Sequence, residues 1–314
     1  MANLAEVLEA RAAIRGTALR TPLLRLPLEQ APAQIYLKLE NLQPIGSFKI
    51  RGAANAVANL APARLARGLL TASAGNMAQG VAWCARARGV ACTVIAPDTA
   101  PQAKIRAVER LGGRVLVVPF EEWWQTFERR SHPSSNGCFI HAFDDPHVMA
   151  GNGTIGLEIL EQLPDPDAVV IPWGGGGLAC GIAQVLRARR PQCRIYAAEV
   201  ETGAPLSASL AAGSPQVVDY KPSFVDGIAS KTVFPQMLER ARRLLDGALV
   251  TTLEQVAAAI RILAERSHII AEGAGACPVA CALAGEAGAG KVVCIVSGGN
   301  IDLDQLCRIL GGRL

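Results

Sequence analysis

Short apolar runs alternate along this 314-residue chain with longer segments whose apolar residues recur every three or four positions. The runs read as buried strands and the longer segments as amphipathic helices. "IYLKLE" (35–40), "GLLTAS" (68–73), "ACTVIAP" (91–97) and "RVLVVP" (114–119) predict strands. Between them, 75–89 predicts a helix closed by Gly89, 99–113 a helix stopped by Gly112 and Gly113, and "EEWWQTFERRS" a third. The second half repeats this grammar. "DAVVIPWGGGG" (167–177) is a strand running into a glycine loop, and 193–200, 246–252 and 291–299 are further strands with helical segments between them. Strand and helix in alternation imply βαβ units and parallel sheets with helices on both faces. Two α/β domains with a cleft between them are expected. The stretch 200–235, rich in Gly, Pro and Ser, is the least regular.

Composition narrows the partners. Half the residues are apolar and 18% are charged, which is a globular balance. The net charge of +4 is spread out, and the "RARR" runs at 187–190 and 240–243 read as solvated helix faces. Without basic–aromatic interleaving, no nucleic-acid partner is expected. The first residues read as an amphipathic helix, not a secretory leader, and no run of about 18 apolar residues predicts a membrane span. Nine cysteines without CxxC pairs fit reduced, buried thiols and a cytoplasmic setting. Cys277 and Cys281 share a helix face but lack a third ligand, so no metal is expected there.

The candidate chemistry begins with "QPIGSFKIRGA" (43–53). The chain has six lysines against 25 arginines, and one of the six, Lys49, is framed by Phe48 and Ile50 just after a Gly-Ser turn. A desolvated lysine amine near positive dipoles can act as a nucleophile toward a carbonyl. Three strand-to-loop junctions could bind ligands, the first two of them anions. "PWGGGGLACGIA" sets four glycines between strand and helix, where backbone N–H groups and the helix dipole suit a phosphate. It lacks the Gly-Lys-Ser/Thr of a P-loop and the spacing of a dinucleotide fingerprint, although Glu199, closing the next strand, leaves NAD as a weak rival. "SAGNMAQG" (73–80) puts Ser73, Gly75 and Asn76 at a helix start, suited to a carboxylate or phenolate oxygen or to ordinary N-capping. "IVSGGN" (295–300) presents Ser297 at a strand's carboxyl end, the edge where open α/β sheets bind ligands. A phosphate-bearing aldehyde held by a lysine through a Schiff base is pyridoxal phosphate.

"GSFKIRGA", "SAGNMAQG", "GNGTIGLEIL", "PWGGGGL" and "VSGGNID" resemble, in order and spacing, the fold-type II pyridoxal-phosphate enzymes, and most closely the serine/threonine dehydratases and serine racemases. The resemblance spans roughly residues 15–305. It implies a tryptophan synthase β-like fold of two open, twisted, mainly parallel sheets with the active site in the interdomain cleft. Residues 1–48 and 146–314 would form the large cofactor-binding domain and 49–145 a small mobile one. It further implies that Lys49 carries the cofactor and moves the substrate α-proton. Phe48 would pack on the pyridine ring and Asn76 would hydrogen-bond the ring hydroxyl. Gly174, Gly175, Gly176, Gly177 and Leu178 would hold the phosphate, and Ser297 would face the ring nitrogen. Ser73, Ala74, Gly75 and Met77 would form the substrate loop. The implied activity is a dehydratase, or ammonia-lyase, that removes the β-hydroxyl of a threonine- or serine-type amino acid to give a 2-keto acid and ammonia, in a cytoplasmic homodimer.

Departures from the family pattern bear on substrate and regulation. The racemases carry a second serine where this chain has Ala74, so racemisation is disfavoured. A cation site near Glu199 in relatives uses an acidic residue six positions later, here Pro205, so no metal is expected. Biosynthetic threonine dehydratases continue into a regulatory domain beyond the point where this chain ends, and feedback through it is not expected. Met77 stands where a histidine is usual, and Trp123, Trp124, Trp173 and Phe224 fall in segments expected to border the cleft. They either fill core or shape a pocket for a bulkier substrate such as an arylserine. His141 and His147, with Asp144 and Asp145, lie in a block (141–154) that reads as a loop.

Overall fold

The computed structural model describes residues 3–313. In chain order the strands are β1 (Leu23–Arg25), β2 (Gln34–Leu39), β3 (Leu69–Ala72), β4 (Cys92–Pro97), β5 (Arg114–Val118), β6 (Cys138–Phe139), β7 (Ala168–Pro172), β8 (Arg194–Val200), β9 (Gly247–Thr251) and β10 (Lys291–Val296). They form two sheets, one in each of two compact units.

The first unit comprises Gln43–Asn152 with the chain up to Leu19. Its sheet has the order β5-β4-β3-β6, and every pairing is parallel. All four residues of β3 are buried, as expected of a strand covered on both faces. Helices Lys49–Ala58 and Asn76–Ala87 contribute Ile50, Val57, Met77 and Val81 to a core shared with Leu69, Val94 and Val108. Helix Leu4–Ala13 begins with a capping box between Asn3 and Glu6, and Ile14 just beyond it joins the same core. Residues 3–19 therefore pack with the unit that holds Lys49, and the chain passes between the units at 19/20, 42/43 and 152/153.

The block read as a loop is helical from Pro146, within helix Pro146–Gln162. Proline opens it, and the Asp145 carboxylate accepts the N–H groups of His147 (2.8 Å) and Val148 (3.1 Å), which is an N-cap. Gly151 is needed for packing, since a Cβ there would run into the carbonyl of Arg51 on helix Lys49–Ala58. Arg51 itself is 1% exposed, and its guanidinium donates to the Leu19 carbonyl at 2.9 Å.

The second unit comprises Arg20–Leu42 with the chain from Gly153 onward. Its sheet has the order β1-β2-β10-β7-β8-β9; β1 is antiparallel to β2, and the rest run parallel. All of β7 is buried, and helices Leu253–Ser267 and Gly273–Leu283 supply much of the core around it. The first of these helices starts with a capping box of Thr252 and Gln255. Lys38 on β2 is fully buried, its Nζ donating to Glu158 Oε2 (2.6 Å), the Thr21 carbonyl (2.7 Å) and Gln162 Oε1 (2.9 Å). The irregular stretch contains helix Pro205–Ala212, and helix Pro235–Leu244 follows it; each has proline in its first turn.

Candidate active site

In the first unit, Phe48 holds the N-cap position of helix Lys49–Ala58 in a helical conformation, so Lys49 is the first residue of that helix. The side chain is half-buried, with Nζ 5.1 Å from the centroid of the Phe48 ring and donating to the Ala142 carbonyl at 2.8 Å. Ala142 lies three residues beyond the end of β6, and β6 is the parallel neighbour of β3. The amine therefore stands at the carboxyl edge of this sheet, beside the strand end from which the Ser73 loop leaves. No sequence signal marked Ala142, because its role belongs to the backbone.

Ser73, Ala74, Gly75 and Asn76 are half-buried and contiguous between β3 and helix Asn76–Ala87. Ser73 Oγ accepts the Gly75 N–H at 3.3 Å, which folds the loop on itself, and Gly75 serves as N-cap without a side-chain bond. The first N–H groups of such a helix have no intrahelical acceptor and so face whatever anion the loop receives. Met77 is 2% exposed and packs in the unit's core.

In the second unit, the glycine loop leaves the end of β7 and Ser297 follows the end of β10. These strands are hydrogen-bonded parallel neighbours, so both features stand side by side at the carboxyl edge of that sheet. Gly174 and Gly175 are half-buried, and Gly176 takes φ 86° as N-cap of helix Gly177–Arg189. Trp173, 1% exposed, lays its ring in the space a Cβ on Gly176 would occupy. Residue 176 thus has neither the backbone conformation nor the room for another side chain. Ser297 is 2% exposed.

Electrostatics separate reactive groups from structural ones. Burial first, then the Arg130 charge, pushes His141 down to about 3. Its Nδ1 accepts the N–H groups of Asp144 (2.8 Å) and Phe143 (3.2 Å), so the ring is neutral with its hydrogen on Nε2. Burial pushes Glu199 up to about 7, against the two N–H donors of Leu206 (2.8 Å) and Ser207 (2.7 Å) that its carboxylate accepts. Those bonds make Glu199 the cap of helix Pro205–Ala212. Burial also raises the Cys180 thiol to about 12, leaving it protonated in the helix after the glycine loop. Among the described residues, no group of three or more His, Cys, Asp or Glu side chains could hold a metal ion, and no helix is long and apolar enough to cross a membrane.

The aromatics have packing partners. Trp123 lies 5.3 Å from Phe120 and 5.9 Å from Phe127, Trp124 lies 5.9 Å from Phe127, and the series continues from Phe127 to His141 at 4.4 Å. Phe224 packs against the core of the second unit.

These residues fit pyridoxal phosphate, each unit on its own evidence. One offers a half-buried amine held by a neutral carbonyl, beside a helix start. The other offers a tight glycine turn at residue 176, closed to any side chain by the Trp173 ring, that opens a helix N-terminus.

Residues 14–298 match the family described as pyridoxal-phosphate dependent enzyme. The chain is 40% identical to the L-threonine ammonia-lyase of Thermotoga maritima, across 100% of its own length and 79% of that protein's. The processed form of threonine deaminase isoform 2 from Solanum lycopersicum superposes with a TM-score of 0.90 at 33% identity, covering 98% of this chain and 88% of that one. Maize serine racemase gives a TM-score of 0.90 at 29% identity, covering 99% and 97%. A family match over most of the chain and a relative 40% identical across the whole of this chain lead to one conclusion: the chain belongs to the pyridoxal-phosphate dependent enzymes.

Proposed function

We propose that the chain is a hydroxy-amino-acid dehydratase that takes L-threonine, and L-serine more slowly, to the 2-keto acid and ammonia. The relatives named for threonine support the substrate class. The observation that carries the reaction type is Ala74, half-buried between Ser73 and Gly75 in the loop before helix Asn76–Ala87. Its methyl group can neither give nor take a proton, so this position supplies no acid or base for re-protonating a carbon from the side opposite Lys49. Lys49 then acts alone at Cα, and loss of the β-substituent prevails over inversion.

When bound, pyridoxal phosphate supplies an electron sink conjugated to the substrate's amino nitrogen. The chain's own residues do the rest. Lys49 Nζ takes the Cα proton and holds it. The Ala142 carbonyl orients that amine without adding charge. Backbone N–H groups of Gly174, Gly175, Gly176, Gly177 and Leu178 would hold the phosphate dianion, helped by the dipole of helix Gly177–Arg189. Asn76 would donate its amide hydrogen to the ring oxygen, Phe48 would cover the ring, and Ser297 would offer the ring nitrogen a neutral hydroxyl. Ser73, with its loop at the start of helix Asn76–Ala87, would receive the substrate carboxylate. Because Trp123, Trp124, Trp173 and Phe224 are accounted for by packing and Met77 by the core, a short β-substituent is favoured over an aryl one.

A panel of L-threonine, L-serine and threo-phenylserine tests this, with keto-acid release and enantiomer exchange measured on each. Keto acid forms fastest from threonine, and exchange stays at least tenfold slower. Exchange as fast as keto-acid release, or phenylserine as the best substrate, would overturn the reading. The cytoplasmic setting is proposed from the nine free cysteines, eight of them buried. The homodimer is proposed from the family resemblance and is checked by sedimentation.

A further inference from the structure

The unit that holds Lys49 carries a second cationic cluster, at the other edge of its sheet. Arg64 lies in helix Pro62–Leu65 and Arg67 in the turn before β3; Arg129 and Arg130 end helix Phe120–Arg129. With the turn that leads into β6 they line a cavity of about 630 Å³. The N–H of Cys138 donates to the Gly68 carbonyl at 2.8 Å, which fixes this cavity at the amino ends of β3 and β6. The Lys49 amine lies beyond their carboxyl ends.

Three observations point to an anion. No aspartate or glutamate lines the cavity, although it has four arginines. Arg130 is paired with Asp144 at 2.6 Å, whereas Arg64, Arg67 and Arg129 have no side-chain hydrogen bond or ion pair among the described residues. These guanidiniums are solvent-exposed, so an anion can reach all of them, and each planar fork suits two phosphate oxygens at once. The wall is also built in advance. Arg130 turns the chain at φ 57°, Ser135 N–H donates to the His132 carbonyl (3.1 Å), and Gly137 N–H to Ser135 Oγ (3.2 Å). The His132 ring, 8% exposed, is held between Ser134 Oγ (2.6 Å) and Glu122 (3.0 Å). Ser131 and Asn136 add polar side chains, and Phe139 an apolar one.

We propose that this cavity is a second anion site, which binds a small molecule bearing a diphosphate or longer phosphate chain. Two phosphate groups carry about −3 to −4 near neutral pH, which matches the three unpaired guanidiniums. The volume is that of a small-molecule site, within the usual range of about 300–1,000 Å³.

Calorimetric titration of the holoenzyme with inorganic pyrophosphate at fixed ionic strength tests this, since the cofactor's own phosphate then fills the glycine loop. Saturable binding is expected, at least tenfold tighter than sulfate. Arg67→Gln with Arg129→Gln weakens it at least tenfold, and the corresponding lysine pair restores part of it. Keto-acid turnover without pyrophosphate and the cofactor's visible absorption stay unchanged, showing that the variants are folded and loaded; Arg64→Gln alone is the milder variant with the same expected direction. The site is overturned by no saturable heat at millimolar pyrophosphate, by equal binding in the glutamine pair, or by sulfate binding as well. A short single-stranded RNA that binds more tightly through the same arginines would also overturn it in favour of a macromolecular partner.

Discussion

Two lysines in this chain sit in apolar frames, and their neighbours give them different work. Lys49 was legible because Phe48 and Ile50 flank it after a Gly-Ser turn. By burial alone Lys38, in "YLKLE", is the drier of the two. Its ammonium is surrounded by Glu158, a carbonyl and an amide oxygen, partners 120 residues or more away in two of three cases, which local sequence could not reveal. Lys49 Nζ instead meets a neutral carbonyl at a sheet edge. Substitution should separate the roles. Lys38→Met removes the cation from a buried carboxylate and should destabilise by about 3–5 kcal/mol, with turnover per folded molecule little changed. Lys38→Met combined with Glu158→Leu should recover most of that loss. Lys49→Ala should cost only about 1 kcal/mol, the scale of one hydrogen bond, yet abolish keto-acid release and the cofactor's visible band. Denaturant titration and a keto-acid assay on each variant read both effects, and a stable, active Lys49→Ala would remove this residue from the chemistry.

Among elements, legibility followed length and continuity. β3 and β7, buried at every position, stand out as apolar runs bounded by turn residues. β1 has three residues and β6 two, too few to show a period. Helix Pro146–Gln162 replaces the loop expected at its start; "GNGT" within it carries turn residues, and packing of Gly151 against the Arg51 backbone outweighs that local preference. The four glycines were read as one anion loop, but only Gly176 has a positive φ among them. Gly176→Ala must therefore place a methyl group into the Trp173 ring and hold alanine in a left-handed conformation costing about 1–2 kcal/mol. The expected result is at least tenfold weaker cofactor affinity, measured by reloading the apoenzyme, with partial recovery on adding Trp173→Leu. Unchanged affinity in Gly176→Ala would mean that the turn is not part of the phosphate cradle.

At the scale of the molecule, each unit contains a buried titratable group displaced in an opposite sense. His141 in the first unit is neutral down to about pH 3, whereas the unfolded chain takes up that proton near 6.5. Below 6.5 the unfolded state binds more protons, so this contribution to stability is present above that pH and is lost as pH falls toward 3. Glu199 in the second unit holds its proton up to about pH 7, against 4.5 for the ordinary carboxyl. Between those values the folded state binds more protons, so the unit is more stable at the acid end and weakens as pH rises toward 7. Moving from pH 7 to pH 5 should therefore loosen one unit and tighten the other, each by about 2 kcal/mol at 1.36 kcal/mol per pKa unit. Hydrogen exchange resolved by peptide, corrected for intrinsic rates, reads this directly. Peptides covering β3 should lose protection at pH 5 and those covering β7 should gain it. Glu199→Gln should remove the gain in β7 while leaving the loss in β3. Both units shifting together would show that a shared charge effect outweighs these two buried groups.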